Sequence, residues 1–181
     1  MGLDIVAVNR IKRIICNVDA EGWPIDPVTG ARLDHETLFR GYQNPDFPGV
    51  ADEIEEGTFY GFEKSVSFSA GSYSSYGGWR DKLAALAGWP KSRFWHYAED
   101  RWAESHCVRC WGGETGPFSD LIDFSDCSGL LGASEAARLA SNFAQYQSLA
   151  NRHEDEDMRC LYNKWRSACE LAADEGCIIF C

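Results

Sequence analysis

The chain has 181 residues, of which 45% are hydrophobic, and it is predicted to form a single globular domain over residues 1–181. Its formal net charge of −11 argues against direct binding to nucleic acid, whose phosphates would be repelled. No apolar run approaches the roughly 18 residues that a membrane helix needs, and the first residues lack the pattern of a secretory signal. The sequence therefore predicts a cytoplasmic protein without membrane contact.

The N-terminal part of the chain contains two predicted strands with a long excursion between them. Apolar residues favour a first strand over Leu3–Val8. Turn-forming residues dominate 17–57, where one short helix is predicted near Asp34–Arg40. Aromatic and β-branched residues with a period of two then predict a central strand within Thr58–Ser69. A loop as long as this excursion is usually functional in a compact domain.

The remainder of the chain is predicted to be mainly helical. Apolar residues recur at helical spacing over Trp79–Gly88, and a second helix is predicted to begin at Pro90, with Trp95 and Trp102 on one face. The later predicted elements are a short helix after Pro117, a helix N-capped by Ser134, a helix from Met158 toward Gly176, and a closing strand over Cys177–Phe180.

These elements predict an α+β fold. The N-terminal, central and C-terminal strands are expected to form one small antiparallel sheet, with four to five helices packed on it. Four tryptophans are expected to lie in the core rather than to form a ligand cage. They are Trp89, Trp95, Trp102 and Trp111.

A loop rich in glycine and hydroxyl groups joins the central strand to the helix that follows it. Its glycines allow close backbone approach, and Arg80 has the forked geometry that binds a carboxylate or a phosphate. The loop lacks the signatures of a P-loop, a dinucleotide-binding turn or a nucleophile elbow. It is therefore either an ordinary connection or a binding site for a small anionic ligand. The candidate ligand-binding residues are Ser72, Tyr73, Ser74, Tyr76, Trp79 and Arg80.

A second candidate segment carries an aspartate at every third residue from Asp120 to Asp126. The spacing does not match an EF-hand calcium loop, which needs glycine at the sixth and glutamate at the twelfth position. A turn in which Asp126 and Ser125 cap a chain reversal is favoured instead. Asp123, Ser125 and Asp126 are candidate ligand-binding residues, and one of the aspartates is a candidate partner for Arg80.

The eight cysteines are not predicted to form a disulfide framework, because the chain lacks an export signal and is long enough to fold without one. Cys107 and Cys110 form a CxxC pair, which is half of a zinc knuckle because such a turn directs two thiolates at one ion. No second pair follows, so other residues would have to complete the site. A redox pair and two incidental thiols are the alternatives. No cofactor is predicted apart from this zinc alternative.

Acidic residues are concentrated between Asp34 and Glu63, where eight acids are balanced only by Arg40. Two short acidic runs stand out, at 52–56 and at 154–157. A solvated face that maintains solubility is one interpretation of this charge. The other interpretation is a surface that docks a basic protein partner, including one that normally holds DNA.

Several segments together resemble small uncharacterised proteins of bacteria and their phages. They are Met1–Ile5, Ala70–Tyr76 with Trp79 and Arg80, Gly116–Phe118, and Asp123–Cys127. These segments comprise 22 of the 181 residues. The resemblance implies an intracellular, microbial or phage setting, and it assigns no role to any residue.

Three functions follow as hypotheses. The leading one is a non-catalytic binding protein that contacts a protein partner, in its finer form an inhibitor of a basic, nucleic-acid-binding protein. The second is a small enzyme or ligand sensor that binds an anionic small molecule at the Ser72–Arg80 loop, with Arg80 as anion anchor and Asp123 or Asp126 as acid–base group. The third is a zinc-stabilised module built on Cys107 and Cys110.

Overall fold

A computed structural model describes residues 2–125 and 127–181, apart from the side chain of His35. The strands in this part of the chain are β1 (Gly2–Asn9), β2 (Lys12–Arg13), β3 (Asn17–Val18), β4 (Pro24–Ile25), β5 (Leu38–Arg40), β6 (Phe59–Gly61), β7 (Lys64–Ser72), β8 (Ser92–His96), β9 (Arg101–Ser105), β10 (Gly129–Gly132) and β11 (Cys177–Phe180). The helices are α1 (Tyr73–Leu86), α2 (Val108–Trp111), α3 (Ser119–Ile122), α4 (Ala133–Ala150) and α5 (Glu156–Ala172).

The central feature of the fold is an antiparallel sheet with the strand order β10-β11-β1-β7. The N-terminal strand lies inside the sheet, where Ile5 pairs with Phe180 of β11 on one side and with Phe68 of β7 on the other. The predicted α+β fold is confirmed, including the antiparallel pairing of the N-terminal, central and C-terminal strands. Strand β10 was not among the predicted elements, because its four residues are too few to show a period of two.

The main core lies between this sheet and the long helices. Alternate residues of β1 point into it, so that Leu3, Ile5 and Ala7 are fully buried. The helices contribute large aromatic side chains, including Phe143 of α4 and Trp165 of α5. Burying each of these larger apolar side chains contributes about 1.5–3 kcal/mol, which explains why the strand and the helices hold this face together.

The excursion covers part of the opposite face of the sheet and one of its edges. Three residues of the sheet, two of the excursion and one of β6 form a second buried cluster, made of Val8, Leu130, Cys177, Ala51, Ile54 and Tyr60. The N–H of Gly132 in β10 donates to the carbonyl oxygen of Val50 at 2.7 Å. The β10 edge of the sheet is therefore protected by a neighbouring segment.

The helix predicted after Pro90 is wrong, because this region forms the two-stranded hairpin β8–β9. Trp95 and Trp102 are direct partners across the hairpin, with ring centroids 5.6 Å apart. A separation of seven residues suits one face of a helix, and it also suits two strands joined by a short turn. The aromatic residues around Trp95 favour a strand over a helix, and this preference decides the local structure.

The excursion contains short strands and turns. The short helix predicted near Asp34–Arg40 is reduced to one 3₁₀ turn over His35–Thr37, which leads directly into β5. In residues 2–125 and 127–181, no helix has the length and apolar character required to cross a membrane.

Candidate functional site

The glycine-rich loop begins with a bulge at the end of β7. Leu3 pairs with Gly71 and Asp4 pairs with Ser69, so Ala70 is an extra residue on the β7 side. Gly71 has a φ of +91°, in the left-handed region that favours glycine. Gly71 therefore has a local structural role, because it allows the chain to turn from β7 into α1.

The serine hydroxyls of the loop mainly cap α1. The Ser72 Oγ accepts a hydrogen bond from the N–H of Ser75 at 3.1 Å, as an N-cap residue does. The same oxygen lies 3.0 Å from the Ser74 Oγ and 2.8 Å from the Ser75 Oγ. Ser72 and Ser74 are exposed, and their hydroxyls form one small network at the start of the helix.

The aromatic residues of the loop point into the main core. Tyr76 and Trp79 are buried and stack on Trp165 of α5, with centroid separations of 5.9 and 6.1 Å. The indole N–H of Trp79 donates to the carbonyl oxygen of Met158 at 3.4 Å. Tyr73 is half-buried against the same core. Tyr76 and Trp79 therefore hold α1 against α5.

Arg80 is also turned inward, with only 9% of its surface exposed. Its Nη1 donates to the carbonyl oxygens of Ile122 and Phe124, at 3.2 and 2.7 Å. Its guanidinium lies 4.7 Å from the ring centroid of Tyr76, a distance typical of a cation–π contact. Arg80 therefore connects α1 to the segment that follows α3.

The aspartate-rich turn is organised around Ser125. The Ser125 Oγ accepts hydrogen bonds from the N–H groups of Cys127 and Ser128, at 3.3 and 3.2 Å. Asp123 lies on the surface, where partial burial raises the pKa of its carboxyl and the nearby Arg80 opposes that rise. Asp126 lies outside the described residues. The loop and the turn meet through Arg80 and the backbone beside Asp123.

The two segments line different hollows among the described residues. A cleft of about 550 Å³ lies between α1, α5 and the end of β7, and its charged lining residues are Lys82, Asp155, Asp157 and Lys164. A smaller hollow of about 140 Å³ contains Asp123 and Cys110 and no residue of the Ser72–Arg80 loop. Two lysines and two aspartates offset each other in the large cleft, so its charge does not favour an anion. Ligand binding by the candidate residues stays a prediction.

Cys107 and Cys110 are both buried in the main core. Burial raises the pKa of the Cys107 thiol to about 11 and that of the Cys110 thiol to about 12. A metal binds the thiolate, which is scarce for both residues at neutral pH unless a metal stabilises it. No group of three metal-binding side chains occurs within the described ranges 2–125 and 127–181.

The acidic segment from Asp34 to Glu63 is on the surface. Three of its eight carboxylates contact other parts of the chain: Glu53 with the N–H of Ala133, Glu55 with Arg13 and Glu63 with Arg10. Glu56 accepts a hydrogen bond from the N–H of Gln43 within the segment. The contact of Glu53 is the most specific, because its Oε1 lies 2.8 Å from the first N–H of α4. Much of this acidic segment therefore serves the fold.

The expectation that all four tryptophans lie in the core is only partly confirmed. Trp89 is buried and donates through Nε1 to the carbonyl oxygen of Pro117 at 2.9 Å. Trp102 and Trp111 are 57% and 47% exposed, and Trp95 is half-buried. Phe94 and Trp95 are neighbours in β8, and successive side chains of a strand lie on opposite faces, so only one of the two can face the protein interior.

The chain was compared with models of protein families, with curated proteins and with solved structures, and none of the three comparisons found a match.

Proposed function

We propose that this is a non-catalytic binding protein that contacts a protein partner through the outer face of the hairpin β8–β9. The observation that carries the proposal is the pair formed by the half-buried Trp95 and the exposed Trp102, whose rings meet edge to face at 5.6 Å. Tryptophan is among the residues that contribute most to protein–protein binding, and a large exposed tryptophan is uncommon without a role of this kind.

The hairpin register separates an outer face from an inner one. Arg93, Trp95, Trp102 and Glu104 share the outer face, because Arg93 pairs with Glu104 and Trp95 with Trp102. The inner face is anchored through Phe94, whose ring meets that of Trp111 in α2 at 5.4 Å. The outer face therefore offers an aromatic surface with one arginine and one carboxylate at its rim.

Two contacts prepare the outer face for binding. The guanidinium of Arg93 lies 4.9 Å from the ring centroid of Trp102, which holds both side chains in place. At the base of the hairpin, Asp81 of α1 accepts hydrogen bonds from the Ser105 Oγ and the N–H of His106, each at 2.6 Å. A side chain already fixed before binding loses less conformational entropy when a partner covers it.

The charge around the hairpin favours a protein over a nucleic acid. Residues 91–114 carry four basic and four acidic side chains, so the region is neutral while the whole chain has a net charge of −11. Three ion pairs join these side chains, which are Lys91–Glu104, Arg101–Glu99 and Arg109–Glu114. A neutral aromatic surface lacks the excess of positive charge that phosphate binding requires.

The partner in the finer form of this proposal is a basic protein, including one that normally binds nucleic acid. The net charge of −11 would steer such a protein toward this molecule. Occupation of its basic surface would then inhibit it. The aromatic face supplies the short-range contacts in this scheme, and the acidic remainder of the chain supplies the long-range attraction.

The proposal is tested with a displayed library of random dodecapeptides selected on the immobilised protein. Selected peptides are expected to bind the Trp102→Ala variant at least tenfold more weakly, since removal of an interface tryptophan typically costs about 2 kcal/mol or more. Val28→Ala is the matched control, because Val28 is a fully exposed apolar residue of the excursion. For a basic partner, affinity should also fall as salt concentration rises.

Two results would contradict the proposal. Selected peptides that bind Trp102→Ala and the wild-type protein equally would place the binding surface elsewhere. A selection that yields no peptide specific for the folded protein would remove the support for a peptide-contacting surface at the hairpin.

A further inference from the structure

We propose that the free edge of β7 is a homodimer interface, on which β7 of a second copy pairs in antiparallel fashion across a two-fold axis. Helix α5 would then pack beside α5 of the partner subunit on the same face of a continuous eight-stranded sheet. This surface is separate from the outer face of the hairpin, and the inference does not depend on the proposed function.

The first observation is the difference between the two edges of the sheet. Strand β7 is nine residues long and forms the last strand after β1. Within the described residues, only β1 and its flanking residues form backbone hydrogen bonds with it. The opposite edge is covered, since Gly132 of β10 bonds to Val50 of the excursion. An open edge of this length presents unpaired N–H and C=O groups that favour pairing with another strand.

The second observation is the groove beside this edge. Two hollows of about 550 and 570 Å³ extend along β7, and both are lined by Cys160 and Lys164 of α5. Helix α5 therefore flanks the open edge without covering it. The ring centroids of Phe68 in β7 and Trp165 in α5 are 5.4 Å apart. This contact fixes the position of the strand relative to the helix on the two sides of the groove.

The third observation identifies the occupant as a second copy. Asp157, Cys160 and Lys164 are exposed at positions i, i+3 and i+7 of α5, and so lie along one stripe about 10.5 Å long. Neither Asp157 nor Lys164 has an ion-pair partner among the residues that the structure describes. The stripe therefore ends in one unpaired negative charge and one unpaired positive charge.

A two-fold axis reverses this stripe on the partner. Asp157 then faces Lys164 of the partner subunit, and the same pair forms again on the other side of the axis. Cys160 lies near the axis, close to Cys160 of the partner subunit. An extended peptide from an unrelated protein has no reason to match this spacing of charges, whereas a second copy matches it by symmetry. This charge complementarity favours a second copy of the chain as the partner of the β7 edge.

The first test is sedimentation velocity of the full chain under reducing conditions, from about 1 to 200 µM. A concentration-dependent dimer is expected. Asp157→Lys and Lys164→Asp should each weaken it about tenfold, because each reversal turns two attractive contacts into repulsive ones. The double variant should restore the wild-type affinity within about threefold, since it recreates both pairs in swapped form.

Glu170→Lys is the matched control for a single charge reversal, because Glu170 lies on a different side of α5 and pairs with Arg166. It should leave association unchanged. A second measurement uses a short bismaleimide, which should join two copies through Cys160 in the wild-type protein and fail to do so in Cys160→Ser. Mass-spectrometric mapping distinguishes this product from links through the other exposed cysteines, Cys127 and Cys181.

A protein that stays monomeric at every concentration would overturn the proposal. Any strand that pairs with the β7 edge would then come from a different molecule. A dimer that resists both single reversals and is not cross-linked at Cys160 would equally overturn it, because its interface would then lie elsewhere.

Discussion

The guanidinium of Arg80 donates a 2.7 Å hydrogen bond to the carbonyl oxygen of Phe124. It donates a second one, at 3.2 Å, to the carbonyl oxygen of Ile122. A residue that looks from the sequence like an anion anchor therefore binds the backbone that follows α3. Because a guanidinium has only donors, it is well suited to satisfy several carbonyl groups at a chain reversal.

Replacement of Arg80 should destabilise the protein. Arg80→Met keeps much of the side-chain volume but leaves the two carbonyl groups without their donor, which should cost about 2–3 kcal/mol of the free energy of unfolding. Urea denaturation measures this loss. Lys82→Met is the control, because it removes only the partly exposed ion pair with Asp155 and should cost about 1 kcal/mol or less. Equal losses in the two variants would contradict the role of Arg80 as an internal connector.

Glu53 should stabilise α4 from outside the helix. Its Oε1 accepts the first N–H of the helix, from Ala133, and a carboxylate at this position also interacts favourably with the helix dipole. Glu53→Ala should therefore lower the free energy of unfolding by about 1 kcal/mol. Thermal denaturation checks the shift against Asp52→Ala, an adjacent exposed acid expected to have little effect.

Gly132 provides an independent check of the same contact. A Cβ added at Gly132 would lie 2.1 Å from the Glu53 Oε1, so Gly132→Ala should displace that carboxylate. The loss from Gly132→Ala should be smaller when Glu53 is already alanine. Strict additivity of the two substitutions would argue that the contact contributes nothing.

The buried thiols should make stability depend on alkaline pH. Burial raises the pKa of Cys107 to about 11, above the value of 9.0 for a free thiol. Above pH 9 the unfolded chain loses this proton while the folded protein keeps it, so stability falls as pH rises from about 9 to 11. The slope is about 1.4 kcal/mol per pH unit for each such thiol.

Urea midpoints measured at pH 7, 9 and 10 check this dependence. Below the pKa that the Cys107 thiol has in the unfolded chain, ionisation of this thiol should have no effect on stability. Cys107→Ala should flatten the alkaline slope, because it removes the thiol whose pKa is raised by burial. An unaltered slope in Cys107→Ala would show that its ionisation does not oppose folding.

Asp81 should hold the base of the hairpin. Asp81→Asn leaves one amide oxygen to accept the hydrogen bonds from the Ser105 Oγ and the N–H of His106, and it removes the negative charge that strengthens them. Amide hydrogen exchange should therefore become faster over residues 92–106. Exchange in β1 should be unchanged, because that strand lies inside the main sheet. Faster exchange in both regions would indicate global destabilisation instead.

Local patterns were enough to predict several elements. The first and last strands follow from short apolar segments, and the apolar stripe of α5 from Met158 to Ala172 follows from helical spacing. The position of Arg80 was also open to prediction. Tyr76, Arg80 and Leu83 lie four and three residues apart, which places the arginine on the buried face of α1.

Other features depend on contacts between distant segments. The spacing of Trp95 and Trp102 fits a helix face as well as a hairpin, and only the pairing of β8 with β9 distinguishes the two. Glu53 is one acid within an acidic run, and its role exists only because α4 begins beside it. The open edge of β7 depends on the order of strands in the sheet, which no local period contains.

The sequence by itself determined the α+β class, the antiparallel relation of the terminal and central strands, and the glycine and serine residues that turn β7 into α1. These properties come from hydrophobic period and backbone preference, which act over a few residues. Only the tertiary structure decided which carbonyl groups Arg80 binds, that Trp102 of the hairpin is exposed and that one sheet edge stays open. Burial is a property of the assembled layers, and residues far apart in the chain create it.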